Sequence, residues 1–307
     1  MINVAIIGSN GFIGRHLTQR LLKERDTSLF LFGRSDEGYS EAGTSYKKID
    51  FFDKESLTRD FKNIDLVYYL VSETIPATSW IDPNIEIQKN LNPFINFLEV
   101  ISKLKVKKIA FVSSAGTVYG ATSGKVQEDS DKKPFSPYGI IKLAMENFLN
   151  YYKAKYNMEY DIYRVSNVYG EGQNTGKGLG LINTFLEKIL LENKVEIFGD
   201  GASTRNYIYV KDVAELLTHS LRSLQSSDIY NISSNSTLSI NEVVAIMKKM
   251  VDENFDVIYK ESRQSDNSYI DLINTKILTN FNKFNFTAIE EGIEKTYHSL
   301  KAIHTKS

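Results

Sequence analysis

Tyr138 and Lys142 open a strongly helical stretch as YxxxK, and a spacing of four sets both side chains on one helix face. A phenol titrates near pH ~10, too high for a base at neutral pH. A nearby ammonium favours the phenolate, so Tyr138 can exchange a proton with a substrate hydroxyl or carbonyl while hydride moves. The plain alternative is an ordinary helix-surface pair. A second group stands at the other end of the first half: Gly8, Gly11 and Gly14 form GxxGxxG, with Phe12 and Ile13 between the last two glycines. The motif follows an apolar run and opens an amphipathic stretch. Glycines there let the backbone turn tightly and approach a pyrophosphate, which the free N–H groups and dipole of the helix N-terminus favour. Dinucleotide binding is the expectation, against a merely structural turn.

The end of the second strand separates the two nicotinamide dinucleotides. An acid there bonds the 2′-hydroxyl of NAD, and an arginine accommodates the 2′-phosphate of NADP. The chain reads Gly33-Arg34-Ser35 with no acid in place, so NADP is the expected cofactor, bound by Arg34 and Ser35. Asp36 and Glu37 follow closely and keep NAD as the alternative. Asp50 and Phe51, after the third strand, are placed to bond the adenine amino group and flank its ring, or else form a surface turn.

These residues need a scaffold, and the hydrophobic pattern supplies one. Apolar runs at Val4–Ile7, Leu29–Phe32, Leu66–Val71, Ile109–Val112 and Ile162–Val165 alternate with helical patterns at Ile13–Arg25, Lys54–Phe61, Ile87–Leu104 and Tyr138–Tyr156. Such alternation predicts a parallel sheet of βαβ units. The fold expected is α/β: a Rossmann-type doubly wound parallel sheet with a smaller mixed α/β substrate lobe. The dinucleotide-binding domain is expected over 1–170 and the lobe over 171–307, with segments returning to the first domain. Residues 171–180 read as a glycine-rich mobile loop. Helices are expected at Leu181–Glu192, from Lys211, up to Val251 behind a capping box at Ser239 and Glu242, and at Ile289–Ile303. Strands are expected at Val195–Phe198, Tyr207–Val210 and Phe255–Tyr259.

Composition narrows the function classes. Across 307 residues, 37 Lys and Arg stand against 38 Asp and Glu, a net charge of −1. That leaves no basic field for nucleic acid and no polybasic surface for a membrane. Cysteine is absent, which excludes disulfides, thiolate catalysis and cysteine-ligated metal. The four histidines (His16, His219, His298, His304) form no ligand pattern, so no metal is expected. The opening MINVAIIG carries no signal-peptide pattern, and no run of ~18 apolar residues exists, so a cytoplasmic location is expected.

Four segments taken in order carry a resemblance: GxxGFIG at Gly8–Gly14, SSAGTVYG at Ser113–Gly120, SPYGIIK at Ser136–Lys142 and YRVSNVYGEGQ at Tyr163–Gln173. Together they resemble the extended short-chain dehydrogenase/reductases, and within them the nucleotide-sugar epimerase/dehydratase family. FGDGASTRNYIYVKDVAE at Phe198–Glu215, SRQSDNSYIDLINTKIL at Ser262–Leu278 and FTAIEEGIEKTY at Phe286–Tyr297 extend the likeness over essentially the whole chain. The resemblance implies that Tyr138 is the acid/base and that Lys142 holds the nicotinamide ribose and lowers the tyrosine pKa. It implies that Asn90 and Asn167 match family asparagines, the latter on the sugar-nucleotide phosphates. It also implies that Arg205 and Arg263 contact the diphosphate, where paired guanidiniums suit a dianion, and that Asp266 lies near the nucleoside. The substrate implied is a UDP-, dTDP- or GDP-linked sugar, in polysaccharide or glycan precursor synthesis.

Departures from the family pattern are equally specific. The Ser or Thr usually found four residues before the tyrosine of VYG is Ala115, flanked by Ser114 and Thr117 as substitutes. The acid of the family's RDY is Asn206. A 4,6-dehydratase would carry glutamate where this chain has Thr117, which argues against dehydration. NADPH-dependent reduction of a 4-keto sugar is the leading expectation, favoured by Arg34. NAD-dependent 4-epimerisation is the alternative, and a non-catalytic dinucleotide sensor or scaffold is opposed by the intact Tyr138–Lys142 pair. Apolar residues beyond one stripe, among them Phe94, Phe97, Phe148, Tyr151 and Tyr152, predict a homodimer, since the resemblance implies that two such helices from each chain pair across a two-fold axis; burial of the same residues within one chain is the plain alternative.

Overall fold

Val4, Ala5, Ile6 and Ile7 are all fully buried, as a strand covered on both faces requires. In the computed structural model that strand, β1 (Ile2–Ile7), is followed by β2 (Thr27–Gly33), β3 (Ser45–Lys48), β4 (Leu66–Tyr69) and β5 (Lys108–Ser114). With Glu159–Val165 and Asp228–Ile232 they build a seven-stranded sheet. Its order is Asp228–Ile232, Glu159–Val165, β5, β4, β1, β2, β3. β1 pairs in parallel with β2 and β4, and the pairings outward to β3 and to Glu159–Val165 are parallel too. The strand order reverses between β1 and β4, and ligands of open α/β sheets bind beyond the carboxyl ends of strands at such a switch point. The structure describes residues 1–39, 41, 43–76, 78–122, 124–176, 180–234, 236–261 and 271–305.

The chain divides into two compact units. The first comprises Met1–Gly120, Asp131–Val165 and Ala214–Tyr230; the second comprises Ala121–Ser130, Ser166–Val213 and Asn231–Ser307. In the first, α1 (Phe12–Leu21) follows the glycine turn and α2 (Lys54–Phe61) is capped by Asp53, which accepts from Ser56 N at 3.0 Å. The continuous helix expected at Ile87–Leu104 is instead three pieces: α3 (Pro83–Glu86), a π-helical turn at Ile87–Leu91, and α4 (Asn92–Ile101). Asp82 starts it early by accepting from Asn84 N at 2.9 Å. Pro93 explains the π turn: it has no N–H to give and its ring crowds the carbonyl four residues back, so the backbone widens just before it.

After α5 (Ala115–Val118) comes α6 (Pro137–Tyr156), which carries Tyr138 and Lys142. Ser136 caps it by accepting from Gly139 N at 3.1 Å, with Pro137 in the first turn. The apolar face of α4 is core. Phe94 and Phe97 are fully buried, with rings 4.8 Å and 5.9 Å from Tyr69, and Tyr152 is buried in the same cluster. Those three residues therefore do not form a dimer face, contrary to the expectation from the sequence; a single amphipathic stripe was too narrow a measure for helices wedged against an aromatic core. Phe148 packs partly buried on that core, and Tyr151 is 48% exposed.

In the second unit, Thr204–Tyr209 lies between Asn167–Tyr169, parallel, and Thr237–Ser239, antiparallel. Lys194–Phe198 pairs with Asp256–Lys260, and Lys125–Val126 with Asp271–Leu272. Helices Leu181–Glu192, Ile240–Met250 and Ile289–His304 enclose its core. The capping box at Ser239 and Glu242 is present on both sides. Among the described residues, no helix is long and apolar enough to cross a membrane.

Candidate active site

The glycine turn has the shape that a dinucleotide requires. Gly8 holds φ at +90°, and Gly11 N donates to Gly8 O at 2.9 Å. A Cβ on Gly14 would stand 2.2 Å from Gly8 O. Only glycine permits this approach of helix to strand. Gly11 precedes α1 without a side-chain cap, so the first N–H groups of that helix stay open to an anion. A cavity of about 370 Å³ adjoins the turn, lined by Gly8, Gly11, Arg34, Ser35 and Ser72 among others. Phe12 and Ile13 form the first turn of α1. Gly14→Ala is expected to abolish retention of the dinucleotide and to destabilise the fold by about 1–3 kcal/mol, as overpacking does. Thermal unfolding and dinucleotide content of the purified variant measure both.

Arg34 is the residue on which the choice of NADP rests, and it already has a partner: its guanidinium is paired with the Glu73 carboxylate. A carboxylate there offsets part of the charge that would meet a 2′-phosphate. Ser35 Oγ accepts from Asn10 Nδ2 at 3.2 Å, and Asp36 pairs with Lys48 at 2.8 Å, which holds the Asp36 carboxyl below its usual range. Asp50 accepts from Phe52 N at 2.9 Å within its own turn. Phe51 is 8% exposed and packs 5.8 Å from Tyr69 and from Phe97, so its ring is core rather than an open flank for adenine.

Along α6, Lys142 is buried, its Nζ donating to Val112 O at 3.1 Å and lying 5.6 Å from the Tyr138 ring centre. Burial pulls the ammonium down to about 8, while the charges of Glu86 and Glu146 raise it. Burial pushes the half-buried Tyr138 up to about 12, against a lowering hydrogen bond from Ser72 and with Glu86 raising it further. By spacing alone, Lys142 is expected to lower the phenol. In the structure burial sets the direction instead, and the phenol rises. The phenol is therefore a proton donor at neutral pH.

Ser114 and Thr117, the two candidates beside Ala115, differ in their commitments. Thr117 Oγ1 donates to Ser114 O at 3.4 Å, whereas the Ser114 hydroxyl caps nothing. Asn90 is fully engaged: Oδ1 accepts from Glu73 N at 2.8 Å, and Nδ2 donates to Thr74 Oγ1 and to Glu86 Oε2, each at 2.9 Å. Its amide thus clamps the segment after β4 rather than presenting itself to a substrate. Sequence reasoning missed Ser72, Thr74 and Glu86; the one available signal was the four-residue step from Glu86 to Asn90.

The second unit holds its own cavity, about 500 Å³, lined by Asn167, Lys188, Phe198, Arg205 and Tyr207 among others. Asn167 Nδ2 donates to Asn206 O at 3.0 Å, and Arg205 donates to Ser203 Oγ at 3.5 Å. Tyr207 OH is buried without a hydrogen-bond partner; burial lifts it to about 12, with Arg205 opposing. The missing acid of RDY has a local reason. Asn206 donates to Thr237 Oγ1 at 2.7 Å and accepts from Leu272 N at 2.8 Å, and Thr237 also contacts Asp271. A carboxylate in that buried knot would face Asp271, and it could not donate to Thr237. Arg263 and Asp266 lie outside the described residues. Among the described residues no cluster of three or more His, Cys, Asp or Glu is arranged for a metal.

Residues 4–233 match the NAD dependent epimerase/dehydratase family. The chain belongs to it. It is an enzyme of nucleotide-sugar chemistry that works with a nicotinamide dinucleotide. A dTDP-4-dehydro-6-deoxyglucose reductase of Escherichia coli is 26% identical over 308 residues, 97% of each chain. A UDP-glucose 4-epimerase of Mycolicibacterium smegmatis is 27% identical over 301 residues, covering 95% of this chain and 96% of the other. The crystal structure of the Thermus thermophilus UDP-glucose 4-epimerase in complex with NAD superposes with a TM-score of 0.87. It is 26% identical and covers 98% of this chain and 99% of that one.

Proposed function

We propose that this family member is an NAD-dependent 4-epimerase of a nucleoside-diphosphate hexose, of the UDP-glucose type. The observation that carries the reading is the Arg34–Glu73 pair, because it engages the cation that favours NADP and so weakens the main support for a reductase. The 4-epimerase relatives, one of them in complex with NAD, lend the same support. The Gly8–Gly14 turn and the open N-terminus of α1 would hold the pyrophosphate, and Lys142 the nicotinamide ribose. When bound, NAD would supply the hydride acceptor and donor that chemistry at the sugar C4 requires.

The chain's own residues do the rest. Tyr138 takes the proton of the C4 hydroxyl in its phenolate form, which the positive charges of Lys142 and of an oxidised nicotinamide would favour, and returns it; the free Ser114 hydroxyl orients that oxygen in place of the usual residue at Ala115. Arg205, with Asn167, binds the diphosphate, and Tyr207 OH offers an unused donor in the same cavity. Arg263 and Asp266 complete the diphosphate and nucleoside contacts in this proposal. A homodimer stays part of the proposal, with Tyr151 rather than the core residues Phe94, Phe97 and Tyr152 on its face.

A reductase is the second reading, supported by the E. coli relative and by a phenol that is protonated at neutral pH, as an acid to an alkoxide must be. Mass spectrometry of the dinucleotide released on denaturing fresh protein separates the two. The expected result is NAD at close to one per chain, with UDP-hexose interconversion needing no added cofactor. Exchangeable NADP, or NADPH consumed with a 4-keto sugar, would overturn the epimerase in favour of the reductase.

A further inference from the structure

Glu86 is the last residue of α3, and it is 1% exposed. Burying a carboxylate is costly unless charge and hydrogen bonds compensate it. One oxygen, Oε2, accepts from Asn90 Nδ2 at 2.9 Å; the other, Oε1, is buried without a hydrogen-bond partner. A glutamine would satisfy Asn90 equally well through its own carbonyl and would bury no charge. The negative charge must therefore serve something beyond Asn90. α3 packs against α6, the helix of Tyr138 and Lys142. Among the charges acting on Lys142, that of Glu86 is the largest, ahead of Glu146, and it is the charge that acts on Tyr138.

A second, uncharged route runs the same way. Asn90, held by Glu86, fixes Glu73 N and Thr74 Oγ1, and Ser72, whose hydroxyl acts on the Tyr138 phenol, is tied to the same segment through Thr74 O, 3.0 Å from its Oγ. The π turn begins at the residue after Glu86, a distortion common at functional sites.

We propose that Glu86 is a positioning residue for the reaction, its buried carboxylate acting as the counter-charge of Lys142 and as the anchor of the Asn90 clamp that aligns Ser72 with Tyr138. This rests on the assignment of Tyr138 and Lys142 as the reacting pair, whether epimerase or reductase. The groups that face the pair are Glu86 from α3, Glu146 and the two residues themselves on α6, and Ser72 beyond β4. The negative charge of Glu86 raises both the phenol and the ammonium, so its removal lowers both.

The test is Glu86→Gln in the full-length enzyme, isosteric and still able to hold Asn90. With 13C-labelled lysine ε-methylenes, one lysine is expected to titrate near pH 8 in the parent protein and to be identified as Lys142 by its loss in Lys142→Met. In Glu86→Gln its midpoint is expected to fall by about one pH unit, the scale of one nearby opposite charge. The pH profile of kcat/KM moves bodily to lower pH, and Glu86→Asp, which keeps the charge, restores its position. A Lys142 midpoint and a profile that stay in place, with kcat merely scaled down, would make Glu86 structural and overturn the proposal. Should the Gln variant not fold, Glu86→Ala removes the same charge and is read on the same axis. If neither sugar reaction is found, the functional reading fails while the lysine titration still decides the role of Glu86.

Discussion

Tyr138→Phe is expected to reduce kcat by about 10²–10⁴-fold, the range for loss of a general acid/base group. The substitution removes one oxygen and leaves the ring over which Lys142 Nζ sits at 5.6 Å. Ser72 keeps its bond to Thr74 O, so the segment after β4 holds its course. Dinucleotide content and thermal unfolding should therefore stay near those of the parent, and the KM for the nucleotide sugar should change little. A loss confined to kcat identifies an interaction made in the transition state. Unchanged sugar turnover in Tyr138→Phe would refute the assigned mechanism, and absence of turnover in both proteins would return the chain to a dinucleotide sensor. The effect exceeds that of any substitution on the clamp. In the proposed mechanism Asn90, Thr74 and Glu86 adjust where and when the phenol reacts, whereas the phenol oxygen itself carries the proton.

The fold and the layout of the candidate site were legible in the sequence wherever they depend on local spacing. GxxGxxG and YxxxK are rules about a few consecutive turns of backbone, and the apolar runs mark strands because burial on both faces leaves no room for polar alternation. What stayed hidden depends on pairs far apart in the chain. Arg34 and Glu73 are 39 residues apart, and nothing near Arg34 announces that its charge is partly offset. Asn90 carries the family asparagine, yet its three hydrogen bonds to Glu73, Thr74 and Glu86 are visible only in the fold. Phe51 and Phe97 follow the same logic: an aromatic residue beside a ligand site and one in a core look alike until the neighbours are known. The π turn at Ile87–Leu91 sits between these cases. Pro93 stands inside the helix expected at Ile87–Leu104, a signal the sequence reading did not use, and whether the backbone would kink, end or widen depended on the packing around Phe94 and Phe97.

The largest stability effect is expected beneath the reacting pair, at Arg164 and Glu146. Both are almost fully buried, at 1% and 2% exposure, and Arg164 Nη2 meets Glu146 Oε2 at 2.6 Å. Arg164 Nε bonds both carboxylate oxygens, and Nη1 donates to Tyr119 OH at 2.9 Å with the guanidinium 5.0 Å from that ring. Ser113 Oγ closes the knot by donating to Glu146 Oε1 at 2.6 Å. Arg164→Met leaves a buried carboxylate facing a single hydroxyl. Removing one partner of such a pair costs about 3–5 kcal/mol, since the survivor loses its hydrogen-bonded counter-charge. The unfolding free energy from urea titration of Arg164→Met should fall by that amount at unchanged slope, and that of Glu146→Gln comparably. The double variant Arg164→Met with Glu146→Leu is expected to recover much of the loss, because hydrophobic replacement of a whole buried pair is often neutral. A loss under about 1 kcal/mol in Arg164→Met would mean that water reaches the knot and that the pair behaves as a surface bridge does. The knot joins β5, α6 and Glu159–Val165 one residue from Ser114, and Glu146 also supports the charge of Lys142. Its rigidity is thus how the first unit keeps a half-buried phenol and a buried ammonium at fixed positions in a site that neither group stabilises by itself.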